Sequence, residues 1–474
     1  MSTRTNRISG GLLVLLAAAS VAMAASGPAP EVPRDAYVEP AGRIRSAALE
    51  HGQAYDILAY LTDRIGPRLS GTPAAENAVR WAADRLKAYG LEAWTEPVTV
   101  PRWVRGEESA LVVAPVEQKL VVTALGGSDP TPAAGLTAAV VEVADFDELH
   151  ALGAERVRGR IVFYNKAIGK GVRYADVIPL RIRGASEAAR LGAVASLVRS
   201  LGILSARLPH TGVMDYDTAV PRIPAAALTA EDADLLHRLL ATGDTVQVTL
   251  RLGCRTLADV PSANVIADLK GREKPGEIVL IGAHIDSWDV GPGATDDGGG
   301  VAMVIEALRI LKSLGLQPRR TIRGVLFMNE ENGVGGGRAY ADTHSNELAR
   351  HVAAIEADEG VGRPLGIGGS VGAGGIERLK DVARVLSVLG PMQATESGGG
   401  VDISPLERAA VPTLAIAVAD DDYLAWHHTA ADTLDKVNPR ELAEDAAALA
   451  IAAYVLADQP AVLPRPAAPT GPEH

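Results

Sequence analysis

The chain has 474 residues, of which 47% are apolar and 22% are charged, and its formal net charge at pH 7 is −12. This length is too great for one simple domain, and the composition is typical of a globular protein with a large hydrophobic core. The negative charge argues against nucleic acid and anionic membrane surfaces as partners and leaves cations as candidates.

The first 24 residues predict an export signal. Arg4 and Arg7 precede the apolar run GGLLVLLAAASVAMAA, and Ala22-Met23-Ala24 provides a cleavage site with small residues. The apolar run is shorter than the roughly 20 residues that a membrane span needs, which favours cleavage over an anchor. We therefore expect an exported protein, periplasmic or secreted, with no stable membrane insertion after cleavage.

Residues 25–119 and 120–257 have different patterns. Two helices and then a strand are indicated in the first range, by AYDILAYLTDRIG, AENAVRWAADRLKAYG and the alternating residues after them. Short β runs such as KLVVTAL and GRIVFYNK predominate in the second range, with one helix predicted at residues 182–198. The second range is therefore predicted to be a smaller, β-rich inserted domain.

Strands and helices alternate from residue 258 to residue 457, beginning with GEIVLIGA and GGGVAMVIEALRILKSLG. Continuous apolar strands between amphipathic helices predict an α/β sheet with helices on both faces. The Pro-rich residues 458–474 predict a disordered tail.

Acidic and imidazole side chains follow the predicted strands of this last region. His284 and Asp286 come after GEIVLIGA, Glu330 and Glu331 after TIRGVLFMN, Asp358 at the end of HVAAIEAD, and His427 and His428 after VPTLAIAVA. The segment GAHIDSWDVGPGATDDGGG adds further aspartates, including Asp296 and Asp297. Because the carboxyl ends of strands in an open α/β sheet border one crevice, we expect these groups to meet there.

So many carboxylates in one crevice would be costly without cations, which indicates a metal site. Each piece alone has a simpler explanation: Asp296-Asp297 before a helix suits a helix cap, and Glu330-Glu331 suits a solvated loop. The occurrence of all these residues after successive predicted strands favours a metal site over these simpler explanations. Imidazole and carboxylate without thiolate suit zinc, with manganese or cobalt as alternatives. The number of anionic ligands favours two ions, and a further carboxylate can accept a proton from the attacking water.

Four motifs, HIDSWDVGPGATDDGGG, FMNEENGVGGG, IEADEG and HHTAADT, resemble those of the co-catalytic zinc exopeptidases that include the bacterial leucyl aminopeptidases. GPRLSG, PRWVRGEESA and PHTGVMDYDTAVPRIP resemble the carboxypeptidase Q branch of that family. The resemblance implies a mixed, mostly parallel α/β sheet with helices on both faces and an inserted β-rich domain like a protease-associated domain. It also implies two Zn²⁺ per chain and hydrolysis of dipeptides or short peptides, with an aminopeptidase as the alternative.

Carried over residue by residue, the resemblance implies a role for each site residue. His284 and Asp358 hold one zinc, Glu331 and His428 hold the other, Asp296 bridges both, Glu330 is the general base, and Asp286 orients His284. His428 is preferred to His427 because HTAADT matches the family pattern His-Thr/Ser-x-x-Asp-Thr. The expected partners are small peptide substrates, and the sequence leaves open whether the protein forms a homodimer.

Two other functions compete with this interpretation. Gly368 to Gly372 fits a nucleophile elbow around Ser370, and Asp402 and His428 follow in the order of a serine hydrolase. Against it, RPLGIGG predicts a poor strand, and the carboxylates would have no role. The second alternative is a non-catalytic binding ectodomain on the same fold. The presence of every expected ligand and of the base argues against it.

Overall fold

The structure is a computed structural model that describes residues 34–169, 171–203, 206–419 and 422–468. The predicted export signal, residues 1–24, lies outside these ranges. Within the described ranges, no helix has both the length and the apolar character that crossing a membrane requires.

Helices and strands alternate through most of the chain. The α-helices are α1 (Arg34–His51), α2 (Ala54–Tyr60), α3 (Pro73–Ala88), α4 (Phe146–Val157), α5 (Tyr174–Arg190), α6 (Ala230–Ala241), α7 (Gly299–Ser313), α8 (Gly335–Thr343), α9 (Gly375–Leu386), α10 (Ser404–Glu407), α11 (Tyr423–Trp426) and α12 (Pro439–Asp458). The strands are β1 (Glu92–Val104), β2 (Glu108–Ala114), β3 (Gln118–Leu120), β4 (Val122–Ala124), β5 (Leu136–Val143), β6 (Ile161–Tyr164), β7 (Ala195–Arg199), β8 (Ala225–Leu228), β9 (Gln247–Leu252), β10 (Arg255–Leu269), β11 (Lys274–His284), β12 (Arg320–Phe327), β13 (His351–Glu356), β14 (Arg363–Ser370), β15 (Gln393–Thr395) and β16 (Thr413–Ala419).

The first sheet has eight strands in the order β1-β10-β12-β11-β13-β16-β14-β15. Its four central strands, β12, β11, β13 and β16, are parallel to one another, and antiparallel pairs flank them. The sheet is therefore mixed, as expected. The carboxyl ends of the four central strands lie along one side of the sheet, which we call the carboxyl edge.

Helices cover both faces of the first sheet. Val279 and Ile281 of β11 belong to the larger hydrophobic core, which includes residues of α7 and α12. Leu280, between them in the chain, packs instead with Phe327 and Tyr340 in a separate cluster. Successive side chains of a strand point to opposite faces, so each face of β11 has its own apolar cover.

The second sheet also has eight strands, in the order β3-β2-β9-β5-β6-β7-β8-β4. All of them come from residues 108–252, which we call the second-sheet region. Its two ends, β3 and β4, are separated in the chain by Val121 alone, so the sheet curls until its ends meet in one stretch. The second-sheet region begins before residue 120 and ends before residue 257, the boundaries predicted for the β-rich domain.

Two predicted elements differ in the structure. The helix predicted at residues 182–198 is α5, which ends at Arg190, and the buried strand β7 begins at Ala195. A short apolar run such as AVASLV cannot be assigned to helix or strand by periodicity alone. The sequence RPLGIGG, predicted to be a poor strand, forms β14, which pairs with β16 and β15.

The prediction of a disordered tail from residue 458 is wrong for its first part. Gln459 and Leu463 are buried. Arg465 donates hydrogen bonds to the carbonyl oxygens of Ala409 (2.8 Å) and His351 (2.7 Å), which hold this segment against the first sheet. Residues 469–474 lie outside the described ranges.

Candidate metal centre

The carboxyl edge gathers side chains from four different strands. His284 is the last residue of β11, Glu330 and Glu331 follow β12, Asp358 follows β13, and His428 comes after β16 and the short helix α11. Because these strands are parallel neighbours, residues distant in the chain meet at one place. The loop between β11 and α7 adds Asp296, which lies among them.

The first group of possible metal ligands consists of His284, Asp296 and Asp358. The Nε2 atom of His284 lies 3.1 Å from Oδ1 of Asp296 and 3.5 Å from Oδ1 of Asp358. Nδ1 of the same ring lies 3.2 Å from the main-chain oxygen of Asp286, to which a protonated Nδ1 donates. This tautomer leaves Nε2 free to bind a cation.

The second group consists of Asp296, Glu331 and His428. The Nε2 atom of His428 lies 3.2 Å from Oδ2 of Asp296 and 3.3 Å from Oε2 of Glu331. Asp296 therefore belongs to both groups, and it presents a different oxygen to each. This arrangement suits a carboxylate that bridges two ions.

Asp286 contacts the ring of His284 through its main-chain oxygen and not through its carboxylate. Its Oδ1 is 4.0 Å from Nδ1 of His284, which is too far for a hydrogen bond. The same oxygen accepts hydrogen bonds from the main-chain N–H groups of Asn329 (2.8 Å) and Glu330 (3.1 Å). Asp286 orients His284 through its main-chain oxygen, and its carboxylate holds the segment that carries Glu330.

The other two aspartates of the β11–α7 loop have structural contacts. Asp297 accepts hydrogen bonds from the main-chain N–H groups of His284 (3.0 Å) and Gly300 (2.9 Å), and so joins the end of β11 to the start of α7. Asp289 pairs with the guanidinium of Arg105, whose Nη2 lies 2.5 Å from its Oδ1.

Asp432, which follows β16, holds the peptide that carries Asp296. Its carboxylate accepts hydrogen bonds from N and Oγ1 of Thr295 (2.7 and 2.8 Å) and from N of Asp296 (3.1 Å). Asp432 is the aspartate of the HTAADT pattern, so the motif contained a signal for it.

Arg68, from the GPRLSG motif, fixes the same loop from the other side. Its fully buried guanidinium donates hydrogen bonds to the main-chain oxygens of Ile285 (2.6 Å), Gly293 (3.2 Å) and Pro292. The motif was visible in the sequence, but its contact with the carboxyl edge depends on tertiary structure.

The second-sheet region contributes to the site through residues that the sequence interpretation did not select. The main-chain N–H of Thr211 donates to the main-chain oxygen of His428 (2.9 Å), and the oxygen of Thr211 lies 3.3 Å from Nδ1 of His428. A protonated Nδ1 therefore donates to Thr211 and leaves Nε2 for a cation.

His427 points toward a different partner from His428. Its Nδ1 atom lies 3.1 Å from Nε2 of His210, and its own Nε2 is 3.9 Å from Asp296. Burial, together with the neighbouring imidazoles, holds the pKa values of His210 and His427 well below the usual range. The geometry therefore favours His428 over His427 as a ligand, although the three histidines are close enough to form a group of their own.

The electrostatics of the site are those of crowded, buried carboxylates. Burial, reinforced by the charge of Asp296, raises the pKa of Glu331 to about 7. Burial and neighbouring carboxylates also raise the pKa of Glu330 well above its usual range. Burial opposes the charge of Asp296, but hydrogen bonds from His284 and His428 outweigh it and hold that pKa well below its usual range. A cation bound between these groups would take the place of the imidazole protons.

Among the described side chains at the carboxyl edge, Oδ1 of Asp358 and Oδ2 of Asp286 are buried without a hydrogen-bond partner. An unsatisfied buried carboxylate oxygen is costly, and the Asp358 atom faces the imidazole of His284 at 3.5 Å. The donor set at the carboxyl edge combines two imidazoles with three carboxylates, which is the chemistry that zinc binds. The residues present therefore fit zinc.

The structure argues against the serine hydrolase, although β14 is a strand and precedes a helix. β14 is antiparallel to β16, and Ser370 pairs with Thr413 at the start of that strand. Ser370 therefore lies at the end of the sheet opposite the carboxyl edge. Both carboxylate oxygens of Asp402 are buried without a hydrogen-bond partner, so Asp402 does not orient His428.

Comparison with known proteins finds similar peptidases. The model of peptidase family M28 matches residues 264–454, which include His284, Asp296, Glu330, Glu331, Asp358 and His428. Carboxypeptidase Q from Mus musculus and from Homo sapiens are each 39% identical to the chain over 416 residues, which is 87% of this chain and 87% of each relative.

Solved structures are similar over most of the chain. The crystal structure of a peptidase M28 precursor from Shewanella amazonensis SB2B is 40% identical, with a TM-score of 0.88, and the match covers 91% of this chain and 99% of that one. BSAP, a zinc aminopeptidase from Bacillus subtilis, has a TM-score of 0.65 at 22% identity, and the match covers 86% of this chain and 95% of that one. At 22% identity, the similarity to BSAP concerns the fold alone.

Proposed function

Because the chain belongs to peptidase family M28 and is a metallo-exopeptidase, we propose that it is a dinuclear zinc enzyme that hydrolyses dipeptides or short peptides, as a carboxypeptidase Q-like enzyme. The observation that carries this proposal is the position of Asp296. One of its oxygens faces His284 at 3.1 Å and the other faces His428 at 3.2 Å. A single carboxylate shared by two ligand groups is what a two-ion site requires.

In this proposal His284, Asp296 and Asp358 hold one zinc, and Asp296, Glu331 and His428 hold the other. When bound, the zinc ions supply a nucleophilic water at neutral pH and polarise the carbonyl of the scissile peptide bond. The protein orients the two imidazoles through the main-chain oxygens of Asp286 and Thr211, which lie 3.2 and 3.3 Å from the respective Nδ1 atoms.

Glu330 is the proposed general base. Its carboxylate accepts a proton from the attacking water and passes it to the leaving amine. Two observations support this role: Glu330 is partly exposed whereas Glu331 is buried, and the peptide N–H of Glu330 is fixed by Asp286 at 3.1 Å. A raised pKa makes a carboxylate a stronger base, and burial raises the pKa of Glu330.

Export and the inserted domain complete the proposal. Residues 1–24 are a cleaved signal, so the mature protein begins near Ala25 and resides in the periplasm or the medium. N-terminal sequencing of the mature protein checks this, and a chain that starts at Met1 in a membrane fraction would contradict it. The second-sheet region is proposed to be an insertion like a protease-associated domain that borders the substrate site.

Metal analysis combined with peptide assays tests the function. The purified protein should contain about two zinc ions per chain. A strong chelator should abolish peptide hydrolysis, and added zinc should restore it. Active protein without zinc would overturn the proposal. Dipeptides with free or blocked ends separate the carboxypeptidase from the aminopeptidase, a candidate favoured by the 28% identity to aminopeptidase YwaD of Bacillus subtilis over 63% of the chain.

A further inference from the structure

Arg181 of α5 places a buried positive charge beside the candidate metal centre. Its side chain is buried, with 4% of its surface exposed. Among the described residues no carboxylate forms an ion pair with it, and its Nε atom is buried without a hydrogen-bond partner. A buried guanidinium without an anion is costly, because the charge has left water and has gained no counter-charge.

Within the described ranges, Nη1 is the one donor atom of Arg181 that has hydrogen-bond partners. Its Nη1 atom donates to the hydroxyl oxygen of Tyr174 at 2.9 Å and lies 3.5 Å from the main-chain oxygen of Thr211. Nη1 is also 3.4 Å from Nδ1 of His428, but a protonated Nδ1 donates to Thr211 and cannot accept from Arg181. The hydroxyl of Tyr174 accepts from Arg181, so its own proton is available to another acceptor.

One imidazole, that of His428, lies between the guanidinium of Arg181 and the carboxylates of the candidate metal centre. The Nε2 atom of His428 faces Asp296 and Glu331, and its Nδ1 atom faces Arg181. These contacts measure 3.4 Å on the Arg181 side of the ring and 3.2 to 3.3 Å on the carboxylate side. A group bound by Arg181 would therefore lie next to His428, one imidazole ring away from the carboxylates of the candidate metal centre.

Gly212 lets the guanidinium occupy this position. A Cβ atom at Gly212 would lie 2.2 Å from Nη1 of Arg181, so the side chain rests against bare main chain. Tyr174 and His428, on either side of it, are both partly exposed. The planar donor set of an arginine matches the two oxygens of a carboxylate, and an anion would supply the missing counter-charge.

From these contacts we propose that Arg181, together with Tyr174, binds the free α-carboxylate of the substrate's C-terminal residue. This inference rests on the proposed function and makes it specific: the enzyme releases the last residue of a peptide with a free carboxyl end, as a carboxypeptidase or dipeptidase. The second-sheet region then supplies a specificity-determining residue, and the ligand chemistry is that of an α-carboxylate.

Peptides that differ only in their C-terminal group test the proposal. The wild-type enzyme should have a kcat/KM at least about 100-fold higher for a dipeptide with a free carboxylate than for the same dipeptide amide. Arg181→Met should lower the value for the free acid by about the same factor and leave the value for the amide within about threefold. A free amino acid should inhibit the wild type more strongly than its amide, and this difference should disappear in the variant.

Matched variants separate recognition from folding. Arg183→Met, on the same helix at an exposed position over the ring of Phe146, should behave as wild type. Tyr174→Phe keeps the ring contacts with His210 and His427 and removes the hydroxyl, so it should lower the free-acid value by about tenfold. This variant, with the wild-type preference for the free acid, keeps the test valid if Arg181→Met does not fold.

Three outcomes would count against the inference. Equal losses for acid and amide in Arg181→Met, with zinc content unchanged, would mean that Arg181 does not read the carboxylate. Loss of one zinc ion in that variant would make Arg181 a positioning residue of His428 instead. A wild type that cleaves free acid and amide equally well would overturn the carboxylate site and leave the peptidase intact, whereas a zinc-loaded wild type that cleaves neither would overturn the proposed function.

Discussion

The first sheet supplies the carboxyl edge with side chains that follow its own parallel strands, whereas the second-sheet region reaches the same edge from a helix and a loop. His284, Glu331 and Asp358 come from successive strand ends. Thr211 contributes a main-chain oxygen and Arg181 a guanidinium. The first sheet thus carries the proposed chemistry, and the second-sheet region orients a ligand and offers a charge of the opposite sign.

The largest effect is expected from a substitution of Asp296, the residue that both ligand groups share. Asp296→Asn keeps the size of the side chain but removes the charge that both ligand groups share. We expect zinc content to fall from about two ions to less than one, and kcat/KM to fall by at least about 10³-fold, as several kcal/mol of transition-state stabilisation are lost. Metal analysis and peptide assays of the dialysed protein measure both effects.

Two further variants serve as comparisons for Asp296→Asn. His284→Ala should affect mainly one zinc, because His284 belongs to one of the two groups. Asp289→Asn changes the same chemistry in the same loop at a residue that belongs to neither group, so it should keep far more zinc than Asp296→Asn. If Asp296→Asn lost one zinc and kept the other, the bridging role would be wrong.

A second prediction separates chemistry from metal binding within the first sheet. Glu330→Gln preserves shape and hydrogen bonding but not basicity. Zinc content and KM should stay near the wild-type values, and kcat should fall by at least about 10²-fold, the usual size of a general-base contribution. Glu331→Gln should instead lose zinc. If Glu330→Gln lost zinc and Glu331→Gln kept it, the roles of the two residues would be reversed.

The same comparison explains what the sequence could predict. Parallel strands followed at once by His284, Glu331 or Asp358 leave a local pattern, so the edge and its side chains were readable. Thr211 acts through its main-chain oxygen, which is the same for every residue type. Arg181 lies on a helix whose limits were misplaced, since the predicted helix began at residue 182. Contacts between regions depend on packing that periodicity does not encode.

A third prediction tests whether the second-sheet region helps to orient the metal ligands, by a substitution of Arg105. Its guanidinium joins Asp289 of the β11–α7 loop (Nε to Oδ2, 3.0 Å) to the hydroxyl of Thr211 (3.3 Å). Arg105→Met should therefore loosen the hold of Thr211 on His428. We expect kcat/KM to fall by about tenfold and zinc to dissociate faster, because residues that orient metal ligands contribute about 10- to 100-fold to affinity or activity.

Arg199→Met is the matched control for this prediction. Arg199 pairs with Asp234 at 2.6 Å, and both residues lie within the second-sheet region. Its loss should change stability slightly and leave zinc dissociation unchanged. A double-mutant cycle between Arg105→Met and Asp289→Asn measures the coupling directly. Equal effects of the Arg105 and Arg199 variants on activity would mean that the contact between the regions does not orient the site.

The smallest expected effect concerns a charged contact of the first sheet that lies outside the carboxyl edge. Nε2 of His344, which follows α8, lies 3.0 Å from Oε2 of Glu96 in the edge strand β1. Burial alone would lower the pKa of His344, but hydrogen bonds with Glu96 and Glu347 outweigh it and raise that pKa. Burial alone would raise the pKa of Glu96, but hydrogen bonds from His344 and Trp94 outweigh it and lower that pKa.

These two shifts define the pH range in which the contact stabilises the fold. The raised pKa of His344 contributes stability below its unfolded value of about 6.5, and this contribution is lost as the pH rises through the folded value. The lowered pKa of Glu96 contributes above its unfolded value of about 4.3, and this is lost as the pH falls through the folded value. Both contributions are therefore complete between about pH 4.3 and pH 6.5. Glu96→Gln should lower the free energy of unfolding by about 1 kcal/mol at pH 5.5, a small value because solvent screens a contact that is only partly buried. The loss should be smaller at pH 8.5, because the contribution of protonated His344 decreases as the pH rises. Denaturant unfolding at the two pH values measures the difference.

Zinc content and kcat of Glu96→Gln should be the same as in the wild type at both pH values, because this contact, unlike that of Arg105, does not reach the carboxyl edge. A loss of activity in Glu96→Gln would show that the carboxyl edge depends on the whole of the first sheet.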